Sequence, residues 1–191
     1  MPFKLLNDEL VKANLSISSL IVTSYELLQS IVTNKIKYFL CVEYELIDGE
    51  MKLKESDDYL RIKNQKHPEL NGSKNLYVSS CKWLLSEDCI TEEDYHVLQE
   101  IRLYRNKLVH QLPNFIIDDN ISIDILIFDK IKASIEKIEK WWILFFEIPV
   151  NPDFDNQEIS EEDISSGIII LINYLSSMLD AEIARLRELG G

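Results

Sequence analysis

Between Asn7 and Cys41 no proline interrupts the chain, and apolar residues fall at Leu10, Leu20, Ile21, Tyr25, Leu28, Val32, Ile36 and Phe39. Spacings of three and four dominate, which is the signature of a helix with one buried face. The segment is too long for a strand. Serines at 16, 18, 19 and 24 either mark a bend or allow close neighbours. A chain that opens with so long an amphipathic helix must cover it with other elements, and helices are the natural cover.

The rest of the sequence supplies them. From Glu43 to Lys74 the pattern decays into a polar stretch punctuated by "IDGEM", Pro68 and Asn71-Gly72. This reads as an insertion, 43–74, holding a short hairpin or a helical turn. His67 precedes a proline, so the expectation is an extended, exposed residue. Helical spacing resumes over Asn75–Leu85 and again from Thr91 to His110. Thr91 with Asp94 falls just short of a capping box, which prefers Glu or Gln at the fourth position. The acidic first turn and the basic Lys107 and His110 in the last both suit the helix dipole. Gln111-Leu112-Pro113-Asn114 stops this helix. "NFIIDDNISIDI" predicts a small hairpin around Asp119-Asn120. Another helix runs from about Ile125 to just before Pro149, and a last one from about Glu161 to Leu189 with Ser160 as its cap. The fold class is all-α, an up-and-down helical bundle, with residues 1–191 as one domain and the polar insertion after the first long helix.

With 191 residues and 46% hydrophobic composition, one good core is possible. Thirty-three acidic against 20 basic residues, a net charge of -13, argue against the basic stripe of a broad nucleic-acid footprint. Strong nonspecific DNA binding is therefore not expected, and specific DNA binding is not expected either, whereas a pocket for one phosphate is compatible with that charge. Cys41, Cys81 and Cys89 are odd in number and widely spaced, so no disulfide framework is implied. A reducing, cytoplasmic setting follows as the expectation. The N-terminal residues turn polar too early for a signal peptide. The apolar stretch "GIIILINYLSSML" falls short of the roughly 20 residues of a membrane span and reads as a buried helix.

"EIRLYRNKLVH", Glu100 to His110, carries the chemistry. At about 100° per residue, Arg102, Asn106 and His110 form an i, i+4 ladder with Arg105 on its flank. Apolar Leu98, Ile101, Leu108 and Tyr104 remain for packing. A histidine titrating near neutrality moves a proton to or from an RNA oxygen. A guanidinium stabilises the charge of a phosphorane-like transition state, and an asparagine orients a phosphate, a hydroxyl or the imidazole. One histidine is thin provision for both acid and base, which a two-fold dimer would remedy. The bland reading is the polar side of an ordinary helix end.

"RNKLVH" resembles the Arg-x4-His signature of the HEPN (higher eukaryote and prokaryote nucleotide-binding) family, in the form with Asn directly after Arg. The resemblance implies a helical bundle, usually dimeric, spanning about residues 7 to 185. It also implies a metal-independent endoribonuclease of a toxin–antitoxin, antiviral defence or stress system, leaving 2',3'-cyclic phosphate and 5'-hydroxyl ends. The catalytic residues would be Arg105, His110 and Asn106, with Arg102 and Lys107 positioning RNA. No cofactor or metal is implied. The expected partners are a second copy, an RNA substrate and an antitoxin or regulatory protein, and no membrane. Some members instead look like non-catalytic interaction modules. Some toxin members carry a tyrosine two residues after the histidine, where this chain has Leu112.

Other constellations are weaker. Cys81, Cys89 and His96 match no compact zinc spacing and read as core cysteines plus a helix residue. Glu92, Glu93 and His96 lack a partner motif. "IDGE" is not a calcium loop, and the five glycines form no phosphate or dinucleotide fingerprint. "WWILFF", Trp141 to Phe146, cannot all face one core, so it is buried on several sides or shared with a second subunit.

Overall fold

The computed structural model describes residues 8–117, 121–154 and 157–189. The first helix, α1 (Asp8–Leu40), runs unbroken for 33 residues. Its apolar stripe, Ile17, Ile21, Leu28, Val32 and Ile36, is fully buried. Ser18 and Ser24 are buried on the same helix, so these serines serve close packing.

The 43–74 insertion contains regular structure. Strands β1 (Tyr44–Ile47) and β2 (Glu50–Leu53) pair antiparallel with Ile47 opposite Glu50. Asp48 (φ 53°) and Gly49 (φ 82°) are both left-handed, as a tight hairpin turn of the type I′ kind needs. A short helix, α2 (Asp57–Lys63), follows, with the Ser56 side chain accepting from the Tyr59 amide. A second two-stranded ladder, β3 (Lys66–His67) with β4 (Ser73–Lys74), then closes through Asn71 and Gly72, both at positive φ. His67 is extended as expected (φ −114°, ψ 109°) but is completely buried, not exposed. Its ring packs into α3, a contact that a rule about the backbone before proline cannot foresee.

Helix α3 (Leu76–Ser86) is capped by Asn75, whose side chain accepts from the Val78 amide. Helix α4 (Glu92–His110) begins with a complete capping box. The Asp94 amide donates to Thr91 Oγ1 at 3.2 Å, and the Thr91 amide donates to Asp94 Oδ2 at 2.8 Å. The shorter aspartate therefore reaches after all. Helix α4 ends at His110 as expected, but the chain turns at once into a short helix, α5 (Leu112–Ile117). The expected hairpin is thus overturned on its first strand: Phe115 is buried in the core and edge-on to Tyr104. Asp119 and Asn120, its proposed turn, lie outside the described residues.

Helix α6 (Leu126–Trp142) continues as a π-helical turn over Ile143–Glu147. Within "WWILFF", Trp142 is buried, Phe146 joins it against Phe39, and Phe145 is exposed. Ser160 and Asp163 form a capping box on a separate 3-10 turn, Glu161–Asp163, and not on the last helix. Ile164 then turns extended to enter the core. Helix α7 (Gly167–Leu189) therefore starts later, with Ser166 Oγ accepting from the Ile169 amide. Its apolar stretch is half-buried and not buried throughout: Ile169, Ile172 and Leu179 face the core, while Ile170, Leu171, Tyr174 and Met178 are exposed.

The result is an all-α bundle with a β-hairpin insertion after the first long helix. Helix α1 lies at the centre, packed by α3, α4, α6 and α7. A buried ion pair ties three of these together: Lys35 Nζ on α1 meets Glu139 Oε1 on α6 at 2.7 Å, and Ser166 Oγ donates to Glu139 Oε2 at 3.1 Å. The three cysteines are free and buried, so they belong to the core.

Candidate functional site

Helix α4 is fixed at its start by the capping box and along its back by buried Leu98, Ile101 and Leu108. That leaves Arg102, Arg105 and Asn106 on the side facing a cleft of about 320 Å³. Tyr25, Gln29 and Thr33 of α1 form a second wall, and Asn75, Leu76 and Tyr77 at the start of α3 form the third.

Arg105 is the most committed of the three. Its guanidinium pairs with Glu26 and lies 5.4 Å from the Tyr25 ring centroid. Its Nη1 reaches Asn106 Oδ1 at 3.4 Å, while its buried Nε has no hydrogen-bond partner among the described residues. Arg102 is steered by Gln99, whose Oε1 accepts from Nε at 3.1 Å. Tyr25 and Tyr77 stand 5.9 Å apart. Burial pushes the Tyr25 phenol up to about 12 despite the nearby Arg105 charge, and burial raises the Tyr77 phenol well above its ordinary value. Both phenols are therefore neutral hydrogen-bonding or stacking surfaces near neutral pH. Burial likewise raises the Cys81 thiol, and takes Cys89 to about 12, which removes both as thiolate nucleophiles.

His110 is not in the cleft wall. It is the last residue of α4, exposed, and its side chain has no hydrogen bond or ion pair among the described residues. Five residues on a helix separate it from Arg105 by about 140° and about 7.5 Å of rise, so one chain does not bring the two heads face to face. Lys107 is also outside the wall, exposed with its Nζ 5.8 Å from the Phe115 ring centroid. The structure therefore gathers Arg102, Arg105 and Asn106, and leaves His110 and Lys107 exposed outside the cleft lining. Glu26, Tyr25 and the α3 edge were not legible as site residues, since they come from elements far away in sequence.

A second polar cluster was also missed. His67 Nε2 lies 2.8 Å from Ser79 Oγ, and His67 Nδ1 lies 3.5 Å from Glu69 Oε1. The order Ser–His–Glu suggests a nucleophilic relay, but the geometry argues otherwise. Ser79 Oγ has the Asn75 carbonyl as an acceptor at 3.1 Å, and His67 Nδ1 makes no hydrogen bond, so Glu69 does not orient the ring as a relay needs. Both residues are sealed from solvent. The cluster pins the β3–β4 ladder to α3 and holds the Asn75–Tyr77 edge of the cleft. Among the described residues no three His, Cys, Asp or Glu side chains are grouped to hold a metal ion.

Comparison with protein-family models, with curated proteins and with solved structures finds no match to this chain. The site must be argued from its own chemistry.

Proposed function

We propose that this chain is a HEPN-like, metal-independent endoribonuclease working as a homodimer in a cytoplasmic defence or toxin-type system. One observation carries the reading: Arg102, Arg105 and Asn106 line an open cleft, while the unpartnered His110 ring sits at the exposed end of the same helix. The wall can hold a phosphate, and two copies can supply two imidazoles. His110 of one subunit takes the 2'-hydroxyl proton as the 2'-oxygen attacks phosphorus. The partner's His110 delivers a proton to the departing 5'-oxygen, leaving a 2',3'-cyclic phosphate and a 5'-hydroxyl. Arg105 stabilises the extra negative charge, and Asn106 orients the phosphate.

The pairing of Arg105 with Glu26 favours a second reading, a non-catalytic interaction module acting with a partner protein. Here the guanidinium is a structural tie between α1 and α4. Cleavage of a mixed RNA pool in EDTA separates the two, with His110→Ala and Arg105→Ala compared at matched oligomeric state. The ribonuclease reading expects cyclic phosphate ends from the wild type alone. Equal activity in all three proteins removes the assignment, and absence of cleavage from the wild type favours the module.

A further inference from the structure

The β1–β2 hairpin presents a bare face and a bare edge. Leu46 pairs with Met51 and Tyr44 with Leu53, so these four side chains share one face. Leu46, Met51 and Tyr44 are 70%, 66% and 62% exposed. An isolated two-stranded hairpin is marginal in water, and an apolar face left open makes it more so.

The hydrogen-bond alternation identifies the open edge. The two-residue turn makes Ile47–Glu50 a hydrogen-bonded pair, so the next such pairs are Glu45–Lys52 and Glu43–Lys54. The Lys54 amide donates to the Glu43 carbonyl at 2.8 Å, in agreement. Met51 and Leu53 therefore aim their amides and carbonyls away from β1. Among the described residues neither makes a backbone hydrogen bond beyond the hairpin.

We propose that β2 pairs antiparallel with β2 of a second copy about a two-fold axis through Met51, forming a four-stranded sheet. Charge selects both occupant and register. With Met51 opposite the second copy's Met51, Glu50 faces Lys52 and Lys52 faces Glu50. One row across the sheet then reads Leu46, Met51, Met51, Leu46, all apolar. Sliding by one pair in either direction puts Glu50 against Glu50 or Lys52 against Lys52, which is repulsive. A shift by a single residue sets the apolar face of one copy against the polar face of the other. Pairing through β1 offers no opposite charges, because its only ionised strand residue is Glu45.

This assembly does not rest on the ribonuclease reading. Leu40, at the hairpin end of α1, is 14 residues from Glu26, or about 21 Å along the helix, so the cleft stays open.

The test is positional cross-linking with sedimentation velocity. Met51→Cys should form a disulfide-linked dimer under mild oxidation, since Cα atoms of a hydrogen-bonded antiparallel pair lie about 5.5 Å apart. Leu46→Cys, on the same face but three strands from its mate, should not. The native cysteines are buried and do not compete. Met51→Pro removes an outward amide without breaking the ladder to β1, and should lower the sedimenting mass. Glu50→Lys should weaken association, and adding Lys52→Glu should restore it. Equal cross-linking at 46 and 51, or failure of the charge swap to restore association, would overturn the proposal. So would a monomeric wild type, or a wild-type mass retained by Met51→Pro.

Discussion

Replacing Glu26 by Gln tests what the cleft is for. Glu26 holds the Arg105 guanidinium, and any phosphate using that guanidinium must displace the carboxylate. The two side chains are 46% and 28% exposed, so water already screens much of their attraction. Partly exposed pairs of this kind are worth about 0.2–1 kcal/mol. Removing the competitor should therefore tighten anion binding by about 1.4-fold to 5-fold. Binding of inorganic phosphate and of a non-cleavable oligonucleotide bearing 2'-deoxy sugars can be followed by calorimetry. The gain should shrink at high salt, where exposed charges are screened. It should vanish in the Glu26→Gln/Arg105→Ala double variant. Weaker binding in Glu26→Gln would show that Glu26 positions Arg105 rather than competing with phosphate. A gain that survives loss of Arg105 would place the anion elsewhere.

Three further outcomes follow from the packing. Lys35→Met should cost about 3–5 kcal/mol in urea unfolding, because it strands the buried Glu139 carboxylate, and Lys35→Met/Glu139→Leu should recover most of that loss. Ser79→Ala should cost about 1–3 kcal/mol, because it leaves the buried His67 Nε2 without a partner, yet leave any RNA cleavage at the wild-type rate, whereas loss of cleavage with retained folding would make the His67 cluster catalytic. Burial pushes the Asp94 carboxyl up, but hydrogen bonds from Lys137 and Thr91 outweigh it and hold the group below its ordinary value. Its folded-state pKa is depressed, so its stabilisation is fully present above the unfolded pKa of about 3.9 and is lost as pH falls through the folded value. Asp94→Asn should flatten that acid limb when melting temperature is measured against pH.

The legible parts of the fold are those written in local chemistry. Apolar spacing and the absence of proline define α1, and Thr91, an acidic first turn and Pro113 bound α4. What failed was decided by distant partners. Phe115 enters the core beside Tyr104, which draws a β-prone stretch into helix α5. Ile164 does the same to the chain before α7, cutting away a turn that Ser160 seemed to start for the long helix. The site divides along the same line: Arg102, Arg105 and Asn106 were visible because helical geometry sets them on one face, but Tyr25 had read only as core.

Glu26 shows why this division matters for function. The acidity of the chain looked like an argument about bulk charge and RNA affinity. In the folded protein one carboxylate reaches across 79 residues of sequence to the arginine that a phosphate would need. On the proposed reading, the relevant electrostatics are those of a single exchange at Arg105, carboxylate for phosphate. That exchange is set by geometry and solvent exposure in the cleft, and the net charge of -13 carries no information about it.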